Sequence, residues 1–384
     1  MSDTPTLIVA GHVCLDIHPE FAPLTEGLQS LLVPGKLVEV GGARVTTGGA
    51  VSNTGLALHR LGLKVRLAGK VGQDAFGRAV LENYRGVGAG LDDSMIVDPA
   101  VATSYSICIT PPGIDRMFWH CPGANHTFCS DDVADALLSG GDLFHFGYPP
   151  LMRRMYARDG AELEALYRRA KAAGLTTSLD MTLPDPASES GRIDWRALLR
   201  RVLPHVDLFV PSLDETAYML DPVRGAAVRD RSAAGVPLGG CSADDVQRLC
   251  AQLTEMGTAV VMLKLGKQGA YLQATRDAAR LAACGRAGPS DPAAWAGAAL
   301  QAACFTVEVA GTTGAGDCTI AGFLAAVAQG LGPAGALRMA VGVGSTSVEG
   351  RDGARDLPPL ARIAERLATA WPRDPSPVPF PHVV

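Results

Sequence analysis

The sequence predicts an α/β protein, in which helices cover both faces of a mainly parallel sheet and a small β appendage stands beside it. From about residue 142 onward, short apolar strands alternate with helices, a pattern typical of a parallel sheet with a helical layer on each side. The residues before that point include stretches with the partial alternation of a half-exposed sheet. Apolar residues make up 47% of the 384 residues, so the chain can bury a sizeable core.

The first part of the chain is predicted to supply one buried strand, one helix and the appendage. Residues 6–11 (TLIVAG) are a short apolar run that ends in glycine, as a buried strand does. Residues 51–61 place their large apolar side chains on one helical face, and Gly62 follows where a C-terminal cap is expected. The Val- and Gly-rich stretch 30–47 favours short strands, and 103–120 favours two strands around a Pro-Pro-Gly turn.

The rest of the chain is predicted to supply the remaining strands and helices of the αβα layers. The strands are expected at 142–146, 175–180, 206–210, 259–265 and 270–273. The helices are expected near 160–173, 243–256, 317–329 and 360–370. Residues 221–240 and 274–302 interrupt the alternation and have the composition of surface insertions. The domain is expected to span 5–370, followed by a proline-rich tail, 371–384, that runs extended along the surface or is disordered.

Composition and missing motifs exclude several classes of protein. The net charge of −5 argues against a constitutive nucleic-acid binder, and the chain lacks a run of about 18 uncharged apolar residues that could span a membrane. The N-terminal segment lacks the basic region of a signal peptide, and the nine cysteines form no CxxC pair, so we expect a cytoplasmic protein with reduced thiols. No lysine stands in a GxxxxGK[ST] loop, and the first strand leads into GHVCLD rather than the GxGxxG of a nicotinamide-dependent oxidoreductase.

The stretch GTTGAGD at 311–317 predicts an anion-binding site. Its glycines, Gly311, Gly314 and Gly316, stand just before an amphipathic helix. Glycines at a helix start let several backbone N–H groups converge on one point, and the helix dipole favours negative charge there. Such donors match the charge that develops on a transferring phosphate group.

Asp317 lies in the first turn of the same helix, at the mouth of the predicted anion site. A carboxylate at this place can take the proton of a substrate hydroxyl, which is worth about 10²–10⁴-fold in rate. The alternative is a structural role, in which Asp317 caps the helix and contributes about 0.5–2 kcal/mol.

Two further positions predict contacts with a polyhydroxylated ligand. Gly48 and Gly49 allow a ligand to approach the backbone, and Asn53 offers both a donor and an acceptor to a hydroxyl. Asp16 follows the first strand, at the sheet edge where α/β proteins bind ligands. The alternatives are a glycine turn with Asn53 as a helix cap, and an ordinary loop aspartate. Asp180 ends a predicted strand at the same edge.

Taken together and in order, these motifs resemble those of the ribokinase-like (PfkB) family of ATP-dependent carbohydrate kinases. The resemblance covers residues 5–350, approximately, through GHVCLDI, TTGGAVSNTGLALHRLG, AGKVGQDAFG, PGAN, PSLDE, LKLGKQGA and GTTGAGD. It implies a three-layer αβα ribokinase-like fold with a mainly parallel central sheet. It also implies a small β lid, from about 14–50 and 100–125, that closes over the sugar.

The resemblance also implies roles for individual residues. Asp317 is the implied catalytic base. The implied anion hole consists of the N–H groups of Gly314, Ala315 and Gly316. The implied substrate-binding residues are Asp16, Gly48, Gly49 and Asn53. The implied nucleotide-binding residues are Lys264, Gly266, Gly269 and Thr313. Glu215 matches a glutamate tied through water to magnesium, and ATP and Mg²⁺ are the implied cofactors.

Three positions depart from the family's pattern. Gly311 stands where the family has aspartate, which weakens the expectation that a monovalent, potassium-type ion is bound nearby. Ser212 replaces the asparagine of Asn-x-x-Glu, and Lys264 stands where threonine is common. The lysine can either reach a phosphate or point outward.

We therefore expect a kinase that transfers the γ-phosphate of ATP to a hydroxymethyl group of a monosaccharide. One alternative is a nucleoside kinase of the same fold, for which Tyr105, Phe118 and Trp119 could stack on a base. The other is a non-catalytic sugar-binding regulatory protein. Arg116, between the strands of the lid, can contact an acidic or phosphorylated substrate or remain solvated. The exposed lid edges allow a homodimer.

Overall fold

An eight-stranded sheet lies at the centre of the computed structural model, which describes residues 4–24, 27–113, 117–374 and 378–384. The strands are, in chain order, β1 (Thr6–Gly11), β2 (Cys14–Pro19), β3 (Ala43–Gly48), β4 (Lys64–Ala68), β5 (Lys70–Gly72), β6 (Ile96–Asp98), β7 (Tyr105–Ile109), β8 (Met117–Cys121), β9 (Leu143–Gly147), β10 (Thr176–Asp180), β11 (Leu208–Phe209), β12 (Val260–Lys264), β13 (Ala270–Ala274) and β14 (Ala299–Ala302).

Thirteen α-helices lie in the part of the chain that the structure describes. They are α1 (Ala50–Arg60), α2 (Ala75–Val87), α3 (Asp135–Ser139), α4 (Arg153–Ala172), α5 (Trp195–Val202), α6 (Leu213–Leu220), α7 (Pro222–Ala233), α8 (Ala243–Glu255), α9 (Ala278–Ala282), α10 (Pro292–Trp295), α11 (Ala315–Ala328), α12 (Pro333–Ser347) and α13 (Leu360–Leu367). Non-helical residues at 157–160 interrupt α4. None of the described helices is both long and apolar enough to span a membrane.

The central sheet has the order β14-β13-β12-β11-β10-β9-β1-β4. The six strands from β12 to β4 are parallel, and β13 and β14 continue the sheet antiparallel. Two apolar cores cover its faces. Leu7 and Val9 of β1 pack toward α1, α11 and α12, whereas Ile8 and Ala10 pack toward α4, α5 and α8. This alternation confirms the predicted α/β class with a helical layer on each side.

A separate four-stranded sheet, here called the small sheet, has the order β3-β2-β7-β8 and stands beyond the carboxyl end of β1. The predicted strands in 30–47 are wrong for most of that range, because only β3 forms. Pro34 cannot donate a ladder hydrogen bond, and Gly35 has a φ of +77°, which breaks an extended run. Arg116 lies outside the described residues. The edge strands β3 and β8 are those expected to pair in a homodimer, which stays a prediction.

The two segments with the composition of insertions contribute regular elements to the fold. Residues 221–240 contain α7, which Asp221 caps, and Val228 on that helix is buried. Residues 274–302 contain α9, α10 and the sheet strand β14. Their Ala- and Gly-rich composition hides the apolar spacing by which short elements are recognised.

The described part of the C-terminal tail runs along the core beside β14. Val383 pairs with Gln301, and the buried ring of Phe380 stacks on Tyr271 at 5.4 Å. Trp371 stacks on Phe305 at 4.2 Å. Of the two alternatives for the tail, the extended course therefore applies to residues 371–374 and 378–384.

Candidate active site

Asp317 lies in the first turn of α11, and only 5% of it is exposed. Gly314 is the N-cap of this helix with a φ of +74°, a conformation that glycine adopts without strain. Asn53 Nδ2 donates to Asp317 Oδ2 at 3.1 Å, and Thr54 Oγ1 donates to Asp317 Oδ1 at 3.2 Å. The start of α1 is therefore fixed to the start of α11 through one carboxylate. Asp317 does not cap α11, since no side-chain cap hydrogen bond forms there.

A residue that the sequence analysis missed, Tyr148, also contacts Asp317. It directly follows β9, and its hydroxyl lies 2.8 Å from both Asp317 Oδ1 and Asp317 Oδ2. Burial, and then the negative charges of Asp317 and Asp180, raise the pKa of Tyr148 well above its usual value, so the phenol remains protonated. The only available signal was position, because Tyr148 ends a parallel strand at the ligand-binding edge of the sheet.

A cavity of about 190 Å³ lies between the small sheet and the first turns of α1 and α11. Two of the four predicted substrate residues, Asp16 and Asn53, line it. Gly48 and Gly49 shape it instead. A Cβ atom on Gly48 would lie 2.0 Å from Asp16 Oδ2, and one on Gly49, whose φ is +85°, would lie 2.4 Å from the carbonyl oxygen of His12.

Three arginines line the same cavity, and the sequence analysis did not single them out. Arg44 comes from β3, whereas Arg351 and Arg355 come from the segment after α12. Asp352 lies 3.6 Å from Arg44 and 3.8 Å from Arg355. Arg351 forms no ion pair or side-chain hydrogen bond with a described residue. The lining thus holds three arginines against two aspartates, Asp16 and Asp352.

Lys264 points inward, at the carboxyl end of β12. Its Nζ donates to Asp180 Oδ1 at 2.7 Å, and its side chain is 13% exposed. A Cβ atom on Gly316 would lie 3.7 Å from Lys264 Cδ, so the lysine runs beside the start of α11. Burial disfavours the charged lysine, but Asp180 and Glu215 outweigh it and raise the pKa of Lys264. Of the two predicted orientations, the outward one is wrong.

Ser212 and Glu215 form a capping box at the start of α6. Glu215 Oε2 accepts from the Ser212 N–H at 2.6 Å, and Ser212 Oγ accepts from the Glu215 N–H at 3.3 Å. Serine at the position of the family's asparagine therefore serves the helix N-terminus. Burial raises the pKa of Glu215 and raises that of Asp180 well above its usual value.

One of the three N–H groups of the predicted anion hole already forms a hydrogen bond within the fold. The Ala315 N–H donates to the carbonyl of Thr312 at 3.3 Å. The N–H groups of Gly314 and Gly316 donate to no described residue, which leaves them available to a ligand. Thr313 lines the cavity with Gly314, so it lies where the predicted sugar and phosphate positions meet.

The two glycines of the predicted nucleotide loop serve different purposes. A Cβ atom on Gly269, which has a φ of +86°, would lie 1.9 Å from the Ala302 carbonyl oxygen. Gly269 is therefore required by the β12–β13 turn itself. Gly266 also has a positive φ, of +57°, but open space surrounds its Cα, so its backbone is accessible.

Two groups of residues have the donors that a metal ion needs. Asp16, His18 and Cys108 offer oxygen, nitrogen and sulfur within 4.8 Å of one another in the cavity. Asp180 and Glu215 offer carboxylate oxygens beside Lys264. Magnesium prefers oxygen donors, so only the second group fits that ion.

A buried carboxylate at a glycine-rich helix start, next to Asn53 and Gly314 of the cavity lining, is the arrangement expected of a phosphate-transferring enzyme that acts on small molecules. Residues 10–359 match the family described as pfkB family carbohydrate kinase. The chain therefore belongs to the PfkB family and is a carbohydrate kinase.

Individual relatives are more distant. The chain is 28% identical over 310 residues to a 2-dehydro-3-deoxygluconokinase of Thermoproteus tenax. This match covers 79% of each chain. The structure of an Arabidopsis thaliana ribokinase complexed with ribose and ATP superposes with a TM-score of 0.69 at 18% identity, over 96% of this chain and 100% of that one. A nucleoside kinase of Methanocaldococcus jannaschii superposes with a TM-score of 0.62 at 16% identity, over 94% and 98%. These two structures support the fold alone.

Proposed function

We propose that this carbohydrate kinase transfers the γ-phosphate of ATP to a hydroxymethyl group of a monosaccharide, with Asp317 as the general base. The supporting observation is the position of Asp317, which is buried at the start of α11 and held beside the cavity by Asn53 and Thr54. A carboxylate fixed next to an anion-binding helix start can accept a proton at the point where a phosphate group arrives.

The proposed reaction is a single displacement. The hydroxyl oxygen of the sugar attacks the γ-phosphorus, and its proton passes to an oxygen of Asp317. The bond between the γ-phosphorus and the oxygen that bridges it to the β-phosphate breaks, and ADP leaves with that electron pair. The free N–H groups of Gly314 and Gly316 stabilise the charge on the transferring group. Closure of the small sheet over the sugar, as a lid, excludes water as a competing acceptor.

The nucleotide phosphates are proposed to lie between Gly316 and the accessible backbone of Gly266. Lys264 is well placed to contact them, because it runs beside Gly316 and carries a positive charge. Magnesium fits the neighbouring carboxylates Asp180 and Glu215, whose oxygens are its preferred donors. When bound, it neutralises phosphate charge during transfer. Glu215 has one oxygen engaged in the capping box and one left for a metal-bound water.

The arginines of the cavity favour a sugar that carries a carboxylate. Three arginines against two aspartates leave an excess positive charge in the lining of the cavity. The substrate named for the Thermoproteus tenax relative, 2-dehydro-3-deoxygluconate, is such a sugar acid. Arginine presents paired N–H donors that match the two oxygens of a carboxylate. We therefore propose a sugar acid as the acceptor, bound through Asp16 and Asn53 at its hydroxyls.

One observation favours a nucleoside instead. Phe118 lines the cavity with an exposed ring that could stack on a base. The two other aromatic candidates do not line it, since Tyr105 packs on Phe76 and Trp119 is absent from the lining. The cavity is also smaller than the roughly 300–1,000 Å³ typical of larger ligands.

The test is release of ADP from ATP and magnesium in the presence of single candidate acceptors. The panel contains 2-dehydro-3-deoxygluconate, gluconate, ribose, fructose, adenosine and cytidine, and wild type is compared with Asp317→Asn. We expect turnover on a sugar acid and a loss of at least about 100-fold in the variant, whose single carboxamide oxygen can still accept from Asn53 or from Thr54. Near-normal turnover by Asp317→Asn would exclude Asp317 as the base. ATP binding without turnover of any acceptor would favour a regulatory protein.

A further inference from the structure

The hydroxyl of Tyr148 is centred on the Asp317 carboxylate, at 2.8 Å from each oxygen. Asn53 and Thr54 each donate to one of the same oxygens from the side of α1. Tyr148 donates from the segment that directly follows β9 of the central sheet. The carboxylate therefore accepts from two separate elements, α1 and the end of β9, which together fix its orientation.

The backbone at Tyr148 is held in a costly conformation. Its φ of +66° and ψ of +43° place a large aromatic residue in the left-handed region, which costs about 1–2 kcal/mol for a residue with a side chain. Pro149 and Pro150 follow directly and restrict the chain on the far side of the turn. Such outliers persist where the surroundings fix them, and they cluster at functional sites. Here the conformation carries the phenol to Asp317.

No other described group competes for the Tyr148 hydroxyl. The neighbouring ring of His12, at 6.1 Å between centroids, is buried with both nitrogens unpartnered. Among the described residues, the hydroxyl has only the two oxygens of Asp317 as acceptors. A hydroxyl has one proton, so it satisfies one carboxylate oxygen at a time and leaves an acceptor site for the substrate.

We propose that Tyr148 is a positioning residue for the reaction, which donates to the carboxylate of Asp317 and holds it oriented toward the hydroxyl of the acceptor. This inference rests on the proposed function of Asp317 as the base. The charged form of the carboxyl group accepts this hydrogen bond, so a variant without the hydroxyl removes one donor from the form that accepts the proton. Because the phenol itself remains protonated, it acts as a donor and does not replace Asp317 as the base.

The test compares Tyr148→Phe with wild type across pH, with the best acceptor of the panel and saturating ATP. Phenylalanine keeps the ring and removes only the hydroxyl. We expect kcat to fall about 10–100-fold, as for one charge-assisted hydrogen bond, while KM changes by less than about threefold. The acid limb of the kcat/KM profile should move to higher pH, by about one unit.

Tyr167→Phe is the matched control. Tyr167 is also fully buried, and its hydroxyl donates to the Ser178 carbonyl oxygen at 2.7 Å, away from Asp317. This variant should lose a comparable amount of stability and retain the wild-type pH profile. Equal losses of kcat in both variants, with the acid limb unmoved, would assign Tyr148 a structural role only.

Two further results separate the possibilities. A higher kcat with a lower KM in Tyr148→Phe would show that the hydroxyl blocks the base, which overturns the proposal.

A second measurement, nuclear magnetic resonance of the Asp317 carboxyl group, needs no acceptor. In protein with labelled aspartate carboxyl carbons, the signal absent from Asp317→Asn identifies Asp317. Protonation of this group at higher pH in Tyr148→Phe than in wild type supports the proposal, and an unchanged titration contradicts it. An active Asp317→Asn would instead refute the proposed base.

Discussion

Lys264 and Asp180 form a buried ion pair, with Lys264 Nζ 2.7 Å from Asp180 Oδ1, at the carboxyl ends of two parallel strands of the central sheet. The pair is not isolated. Glu215 and Asp317 are close enough to act on both partners, so one lysine faces three carboxylates. One cation cannot neutralise three carboxylates, which is why the site suits additional positive charge, such as magnesium bound to ATP.

The first prediction concerns this pair. Lys264→Met leaves Asp180 buried without its partner, and we expect the free energy of unfolding to fall by about 3–5 kcal/mol, as for a broken buried ion pair. We also expect weaker binding of ATP, because the cation beside Gly316 is lost. Urea unfolding and titration with ATP and magnesium measure the two effects separately.

The double variant Lys264→Met with Asp180→Asn is the control, since it removes the stranded charge. Most of the stability should return while ATP binding remains weak. Recovery of ATP binding together with stability would show that the lysine serves the fold rather than the nucleotide.

The second prediction concerns the proposed carboxylate of the acceptor. Arg351 lines the cavity without an ion pair to a described residue, so Arg351→Met should leave the stability nearly unchanged. We expect KM for a sugar acid to rise about 10–100-fold, the loss of one charge-assisted hydrogen bond. KM for the corresponding neutral sugar should not change. Steady-state kinetics with gluconate and glucose makes the comparison.

Arg362→Met on α13 is a suitable control, because Arg362 is 73% exposed and its one ion pair with a described residue is to Glu365, three positions on. Equal changes of KM for the acid and the neutral sugar in Arg351→Met would refute recognition of a carboxylate by this residue. The kinase assignment would be unaffected by that result.

The sequence could predict the parts of the site that lie next to a local pattern. Asp317 and Asn53 each follow a glycine-rich turn at a helix start. In the structure the side-chain amide of Asn53, on α1, donates to the carboxylate of Asp317, on α11, at 3.1 Å. Asp16 follows β1, which a short apolar run identifies, and the structure places it in β2 of the small sheet. In each case a nearby glycine or strand end sets the position of the side chain, so local spacing carries the information.

The remaining contacts depend on the packing of distant segments. Tyr148 is 169 positions from Asp317, and no motif near it indicates that its hydroxyl reaches the carboxylate. Arg355 reaches Asn83 from 272 positions away. The helix α12 was missed because its glycines and alanines give no amphipathic pattern. It is buried against α11, where small residues allow close approach.

The third prediction tests whether Gly48 makes room for Asp16. A Cβ atom on Gly48 would lie 2.0 Å from Asp16 Oδ2, so Gly48→Ala must displace that carboxylate. Because Asp16 is proposed to bind the sugar hydroxyls, we expect KM for the acceptor to rise by at least about 10-fold with a smaller change in kcat. Steady-state kinetics checks this expectation.

Gly86→Ala is the matched control. Gly86 lies in α2, and a Cβ atom there would meet nothing within 4 Å. Alanine should stabilise the helix by about 0.5–1 kcal/mol and leave KM unchanged. An unchanged KM in Gly48→Ala as well would show that Asp16 does not bind the acceptor in the position seen here.

The fourth prediction concerns stability at acidic pH and rests on His145, which is fully buried in β9. Burial, and then the positive charge of Lys264, lower the pKa of His145 to about 3. In the unfolded chain histidine titrates near its ordinary value of about 6.5, so below that pH the unfolded state binds a proton that the folded state does not. The contribution of neutral His145 to the free energy of unfolding is therefore lost as the pH falls below about 6.5. Between about pH 7.5 and about pH 5.5, the free energy of unfolding of wild type should fall by about 1.4 kcal/mol through this one group.

The variant His145→Gln tests this expectation by urea unfolding at the two pH values. Its free energy of unfolding should change by about 1.4 kcal/mol less than that of wild type. Glutamine can form a hydrogen bond with Ser178, as His145 does at 3.0 Å, but it does not titrate. His382→Gln, at an exposed position near the C-terminus, should retain the wild-type difference. Equal pH dependence in wild type and His145→Gln would show that His145 gains its proton in the folded protein at an ordinary pH, and would contradict its burial as a neutral group.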